Sequence, residues 1–287
     1  MSSTGSGSSV RVDQMFRERG GAAWTLLQER TDTQLDPLGR AAMEALTLAP
    51  GAKVLDVGCG CGQTLLELGE LVGPTGHVLG IDISEPMLAR AAERIVAHPE
   101  VGLLCANAQT HVLPAGEFDA VYSRFGVMFF EDSRAAFTNL RRALRPGGQL
   151  AFVCWQASAR NPWAELPYQA VMRLLPPTAA PTFLHPDSPG PFHFSSPDRV
   201  NGILSDGGFV DVAITPYETS IHLGGAMTLE EGVSYCRQIG PAARAMADAP
   251  EDLRPQLESA IAAALSPFVS ARGLWMDASA FIVTARG

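Results

Sequence analysis

The chain has 287 residues, 46% of them hydrophobic, and a formal net charge of −9. That length and apolar content suit one large domain with a sizeable core, or one domain carrying insertions. The acidic balance, without a dense lysine or arginine cluster, counts against a general nucleic-acid binder, which carries a basic face. No apolar run approaches the roughly 18–20 residues needed to cross a bilayer.

Residues 1–9 are serine- and glycine-rich and read as a flexible tail, not a signal peptide. Over 10–48 apolar residues recur at helical spacing, with a break expected near Asp36-Pro37, so a helical cap precedes the first strand. Trp24 and Gln28 lie one helical turn apart there and can share a face. Strand one is 53–57, and Gly58-Cys59-Gly60-Cys61-Gly62 follows at once, with a helical pattern from Gln63. Strand, glycine turn and helix in that order bring bare backbone close to a nucleotide-like ligand. Strand two, 77–82, ends on Asp82, where a carboxylate can accept two hydrogen bonds from a ribose diol. Ser84 and Glu85 open the next helix. Strand three, 101–106, leads to Asn107-Ala108-Gln109, whose small polar groups can read an adenine edge. Strand four, 118–123, is followed by Arg124-Phe125, and Asp132 or Ser133 caps a helix ending at Arg145-Pro146-Gly147-Gly148. Strand five is 149–155.

Five strands alternating with helices imply a doubly wound, mostly parallel α/β sheet. Two more strands are expected at 210–216 and 279–285, as an antiparallel final pair, giving a seven-stranded Rossmann-like sheet. The whole of 10–287 then reads as one domain: cap 10–48, core 50–157, lid insertions 158–205 and 218–277, final strands within 206–217 and 278–287. Five cysteines (Cys59, Cys61, Cys105, Cys154, Cys236) show no repeated metal spacing, so reduced thiols in a cytoplasmic protein are expected. Cys59 and Cys61 could bind a soft metal, yet position 59 sits between glycines where any small residue would serve.

Taken together, Val54-Leu55-Asp56-Val57-Gly58-Cys59-Gly60-Cys61-Gly62, Gly80-Ile81-Asp82-Ile83-Ser84, Asn107-Ala108-Gln109, Phe118-Asp119-Ala120-Val121-Tyr122-Ser123 and Leu144-Arg145-Pro146-Gly147-Gly148 resemble a class I S-adenosylmethionine-dependent methyltransferase. The chain is similar to the bacterial group that includes the ubiquinone and menaquinone C-methyltransferases and many natural-product enzymes. The resemblance is sharp over about 50–157. It implies S-adenosyl-L-methionine as cofactor, with Gly58, Cys59 and Gly60 against its amino-acid portion and Asp56 supporting the turn. It further implies Asp82 on the ribose hydroxyls, Ile83 and Met87 flanking the adenine, and Ala108 and Gln109 at the adenine edge. Asn107 stands where the family often has Asp; it can accept from the adenine amino group but adds a donor. Ser123, Arg124 and Phe125 would border the sulfonium methyl.

Methyl transfer is an in-line displacement in which positioning and exclusion of water supply much of the rate. A base is needed only if the acceptor carries a proton, and the catalytic residue stays open among His185, His193, His222, Tyr122 and Arg124. Trp155, Trp163, Tyr168 and Tyr235, with Phe192, Phe194 and Trp275, are candidates to line an apolar acceptor pocket. The expected partner is a small molecule, neither nucleic acid nor membrane, and the protein a monomer or homodimer. No carboxylate cluster points to a metal, and the turn after strand four lacks the Asn/Asp-Pro-Pro-aromatic motif of amino-methylating DNA enzymes. Two other readings are a cofactor-binding regulatory or scaffold protein of the same fold, and an NAD(P)-dependent oxidoreductase. The latter conflicts with Gln63 at the place of its third glycine.

Overall fold

The computed structural model describes residues 16, 19–176 and 186–287, so the expected tail and His185 lie outside the described residues. Two helices open the described chain, α1 (Arg19–Leu26) and α2 (Gln28–Glu44). The core then alternates β1 (Lys53–Val57), α3 (Gln63–Val72), β2 (His77–Asp82), α4 (Glu85–Arg94), β3 (Val101–Cys105), β4 (Phe118–Arg124), α5 (Ser133–Ala143) and β5 (Leu144–Trp155). After it come α6 (Pro162–Met172), α7 (Pro197–Asp206), β6 (Val210–His222), α8 (Leu229–Cys236), α9 (Pro241–Met246), α10 (Arg254–Leu265), β7 (Val269–Ser270) and β8 (Gly273–Arg286). The sheet order is β3-β2-β1-β4-β5-β8-β6, with β7 paired only to β8. β1 to β5 are mutually parallel, whereas β8 runs antiparallel to both β5 and β6. This is the expected seven-stranded, doubly wound sheet with an antiparallel last strand.

The local chemistry explains the elements. β1 buries Val54, Leu55, Asp56 and Val57 without alternation, as a central parallel strand must when helices cover both faces. Asp132 caps α5, accepting from the Ala135 N–H at 2.9 Å, and Thr228 with Glu231 forms a capping box on α8. Phe137 on α5 packs against Phe130, Phe152, Phe194 and Phe209, which ties the first insertion to the core.

Three boundaries differ from expectation. The break in the N-terminal helices falls at Leu27, and α2 runs through Pro37 without interruption. β5 begins at Leu144, because Leu144 pairs with Phe118 of β4 before an irregularity in the register, and Gly147 and Gly148 bond to Gly287. Most consequential, β6 continues to His222 and β8 starts at Gly273, so the second insertion spans 223–272. Trp155 is level with Ala280, and the β6–β8 ribbon continues to the His222–Trp275 pair. Five further positions carry it about 17 Å beyond the carboxyl end of β5, as a wall beside the sheet's ligand-facing edge. Pro216 is tolerated in β6 because that strand is the sheet's edge.

The cap lies over that same edge. Phe16 meets Phe129, just after β4, edge-on at 5.0 Å. Gly21 packs so closely on Ser84, just after β2, that a Cβ there would stand 2.3 Å from Ser84 Oγ. α2 is fixed from below by Tyr122, whose buried hydroxyl donates to Gly39 O at 2.8 Å. Tyr122→Phe is expected to lower stability by about 1–2 kcal/mol, the value of a buried hydrogen bond, measured by urea unfolding.

Candidate cofactor and acceptor site

The site is built where β1 and β4 end side by side, the point at which the sheet order reverses. Gly58 and Gly60 have φ of +73° and +54°. A Cβ on Gly58 would lie 2.8 Å from Gly126 Cα, and one on Gly60 2.8 Å from Met87 Cε. No other residue could hold either backbone there without displacing a neighbour. Cys59 turns its buried side chain under the sheet, where a Cβ on Gly80 would lie 2.8 Å from its sulfur. It is a packed spacer in a tight place, and burial pushes its thiol well above the usual range. Among the described residues no three His, Cys, Asp or Glu side chains are grouped to hold a metal ion.

Asp82, half-buried at the end of β2, accepts from Gly60 N–H and Ser84 N–H, each at 2.9 Å and each on a different oxygen. Burial raises its pKa, while these backbone donors pull the other way. Each oxygen keeps a lone pair for a further donor. Asp56 is 1% exposed beneath the glycine turn. Thr64 Oγ1 donates to one of its oxygens, and the other has no partner. Ser84 Oγ is also buried and unpartnered. Orphaned acceptors beneath a turn that admits no Cβ fit a ligand with cationic and hydroxyl donors, such as the amino-acid and ribose parts of S-adenosylmethionine.

At the next strand end, Asn107 Oδ1 accepts from Gln109 N–H at 2.9 Å, closing an Asx turn, so its amide nitrogen is the group left to the cleft. Asn139 Nδ2 donates to both Ala108 O and His111 O at 2.8 Å, and Gln109 Oε1 accepts from Asp132 N–H. Ile83 and Met87 follow Asp82 on the same edge. Beyond β4, the buried Ser123 hydroxyl donates to Val57 O and accepts from Gly126 N–H, so it joins two turns. Arg124 donates to Gln63 Oε1 and pairs with Asp32 at 3.2 Å. Phe125 holds φ of +63°, a strained conformation for a bulky residue of the kind that clusters at functional sites. Its ring stacks on Trp155 with centroids 4.1 Å apart, and Trp155 meets Trp163 at 4.8 Å. Trp163 and Tyr235 line a constricted apolar cavity of about 10 Å³, room for about one water, with Pro167, Leu223 and Ile239. Tyr168 lies half-buried farther along α6.

The other candidates go elsewhere. His193 faces Pro186 O at 2.9 Å and Ser133 Oγ at 3.4 Å, and burial lowers its pKa. His222 sits at the ribbon tip, stacked on Trp275 and facing Ala226 O at 2.9 Å. The Tyr122 hydroxyl is committed to Gly39, and burial raises its pKa steeply. Phe194 packs into the aromatic core against Phe152, and Phe192 is buried as well. Two supports escape a reading of sequence alone. Asn161, fully buried, accepts from Trp163 Nε1 and Ser279 N–H and donates to Ser279 O, all at 3.0 Å, which orients the indole. Its place before Pro162, at a helix start, is the only local signal it gives. Asp32, in the middle of α2, gives none.

Burial pushes the Asp56 carboxyl up to about 7. Between pH 4 and 7 the folded protein therefore keeps a proton that the unfolded chain loses, so Asp56 makes stability fall as pH rises through this window. The full effect is on the order of 4 kcal/mol. Asp56→Asn should flatten that part of the stability–pH profile, measured by urea unfolding from pH 4 to 8.

Comparison with known proteins agrees with this geometry. Residues 54–148 match a family described as a methyltransferase domain. The nocamycin O-methyltransferase of Saccharothrix syringae is 35% identical over 187 residues, which cover 61% of this chain and 65% of that protein, just under two thirds. A demethylmenaquinone methyltransferase of Staphylococcus aureus is 28% identical over 195 residues, 64% of this chain and 80% of that protein. The YcgJ protein of Bacillus subtilis shares the fold, with a TM-score of 0.56 at 17% identity over 88% of this chain and 97% of its own. The glycine turn, Asp82 and the strand order agree with this match, which places a methyltransferase domain over residues 54–148.

Proposed function

We propose that this protein transfers the methyl group of S-adenosylmethionine to a small, largely apolar organic acceptor, with neither His193 nor His222 as base. The observation that carries the reading is the aromatic path Phe125–Trp155–Trp163, which runs from the end of β4 into the apolar pocket shared by Trp163 and Tyr235. In this reading Asp56, Gly58, Cys59 and Gly60 hold the amino-acid end of the cofactor. Asp82 takes the ribose, Ile83 and Met87 flank the adenine, and Asn107, Ala108 and Gln109 read its edge. Ser123, Arg124 and Phe125 border the methyl group. The two insertions form one lid, with Trp155, Trp163, Tyr168 and Tyr235 facing the acceptor.

The bound cofactor supplies an already electrophilic sulfonium methyl. What the chain supplies is alignment and dryness: stacked rings that hold a flat acceptor and a cap that excludes water. The described base candidates are engaged in other hydrogen bonds, so the acceptor must bring its own nucleophile. An acidic enol or a carboxylate does so near neutral pH. The relatives' names include an O-methyltransferase, which suits such acceptors. In this reading it acts in the cytoplasm as a monomer or homodimer; the acidic chain suits a small-molecule acceptor better than nucleic acid, and among the described residues no helix is long and apolar enough to cross a membrane.

Two measurements test this. S-adenosylhomocysteine should raise the melting temperature and NADH should not; the reverse would reject the cofactor assignment. With an acceptor found by screening acidic enols and carboxylic acids, His193→Ala and His222→Ala should each keep kcat within about threefold, whereas loss of a general base costs on the order of 10²–10⁴. A loss in that range for either variant would restore that histidine as the base.

A further inference from the structure

The cap and the cofactor turn meet at a charged cluster that the proposed function does not account for. Asp32, on α2, accepts from Arg94 Nη1 of α4 at 3.0 Å and from Arg124 Nη2 at the end of β4 at 3.2 Å. The three side chains are only 15%, 19% and 12% exposed, respectively. Gln28 Nε2 donates to the same carboxylate, and its own oxygen faces Arg90. Arg94 Nη1 also donates to Cys61 O of the glycine turn at 2.8 Å, and Arg124 donates to Gln63 Oε1, at the start of the helix that leaves the turn. Gly39 leaves the room this requires, since a Cβ there would lie 2.7 Å from Arg124 Cδ.

We propose that Asp32 is a positioning residue of the cofactor site: its carboxylate holds Arg94 and Arg124 against the glycine turn and in doing so latches the N-terminal cap over the cleft. This rests on the assignment of that turn to S-adenosylmethionine. A guanidinium brought close to a second one stays in place only while a carboxylate lies between them. Without Asp32 the two arginines repel, Arg124 leaves the end of β4, and the turn loses both of its side supports. The cap loosens in the same event, because Gly21, on the helix leading to this cluster, packs on Ser84, and Phe16 meets Phe129 at the next strand end. Cys61 reports the change. It is buried with Thr25 of α1 against its thiol, and burial holds its pKa up at about 11.

The test uses the full chain and S-adenosylhomocysteine as probe. Titration calorimetry should show Asp32→Asn binding about 10-fold more weakly than wild type, within the usual 5–150-fold range of coupling between sites. Asp32→Glu should recover part of the loss. The double variant D32N/R124Q should bind no more weakly than R124Q alone, because the two residues act as one unit. Peptide-resolved labelling with iodoacetamide should modify Cys61 faster in D32N than in wild type, and saturating S-adenosylhomocysteine should slow labelling in wild type. A merely structural Asp32 would lower the melting temperature without this non-additivity. Wild-type affinity in D32N, or additive losses in the double variant, would overturn the role of Asp32. If D32N does not fold, Cys61 labelling of wild type that is indifferent to S-adenosylhomocysteine overturns the latch. Failure of wild type to bind the probe at all rejects the cofactor assignment itself, a separate result.

Discussion

The site depends on how closely two backbones pass at the ends of β1 and β4. Gly58 and Gly126 are in contact, and Ser123, with no exposed surface, spans the seam by donating to Val57 O and accepting from Gly126 N–H. Because the seam lies where the sheet order reverses, it opens a crevice that no helix from the sheet's own crossovers fills. Everything assigned to the cofactor follows from its position. The glycine turn leaves on one side toward Asp82, and Arg124 and Phe125 leave on the other. A side chain at either glycine would wedge the strands apart and separate the two halves of the site.

The crevice divides by polarity. Toward β2 and β3 it presents Asp82, Ser84, Asn107 and backbone groups, which suit a ribose and a base. Toward β5 it presents stacked rings, and the first polar support there, Asn161, is spent on orienting Trp163. The strained Phe125 stands at the junction. Its left-handed backbone directs a large ring onto Trp155 and away from the glycine turn, so that the polar and apolar halves meet across one residue. The β6–β8 ribbon extends the apolar side past the sheet, and Leu223 at its end joins the pocket wall.

Much of this was legible in the chain, for identifiable reasons. Glycines between a buried strand and a helix, an acid ending the next strand and proline–glycine turns are local signals, and they placed the sheet and the glycine turn at its point of reversal. The length of the β6–β8 ribbon was not legible, because its outer residues pair only with each other and carry mixed polarity, as at Glu218, Thr219 and Ser220. His193 and His222 looked like bases because a loop histidine has no visible partner until Pro186, Ser133 and Ala226 are brought to it. Phe194 looked like a pocket residue because burial in a core and burial in a pocket leave the same trace in sequence. Asp32 was invisible for a related reason: a charge in the middle of a helix reads as solvated, and its two arginines come from positions 62 and 92 residues later.

Helix α2 makes the polar and apolar halves mechanically one. One side of it carries Gln28, Asp32 and Asp36, which reach Arg90, Arg94, Arg124 and Gln63 around the cofactor turn. Another carries Arg30 and Gln34, which grip Gly224 through its carbonyl and its N–H, while the Arg30 guanidinium lies 5.4 Å over the Tyr235 ring. The glycine turn and the 223–272 insertion are therefore held by successive residues of one helix. A helix is stiff over such a span, and packed interfaces of this kind have discrete arrangements, not a continuum of them. The cap is then best described as a wall shared by the glycine turn and the 223–272 insertion, so a displacement of α2 is felt at both.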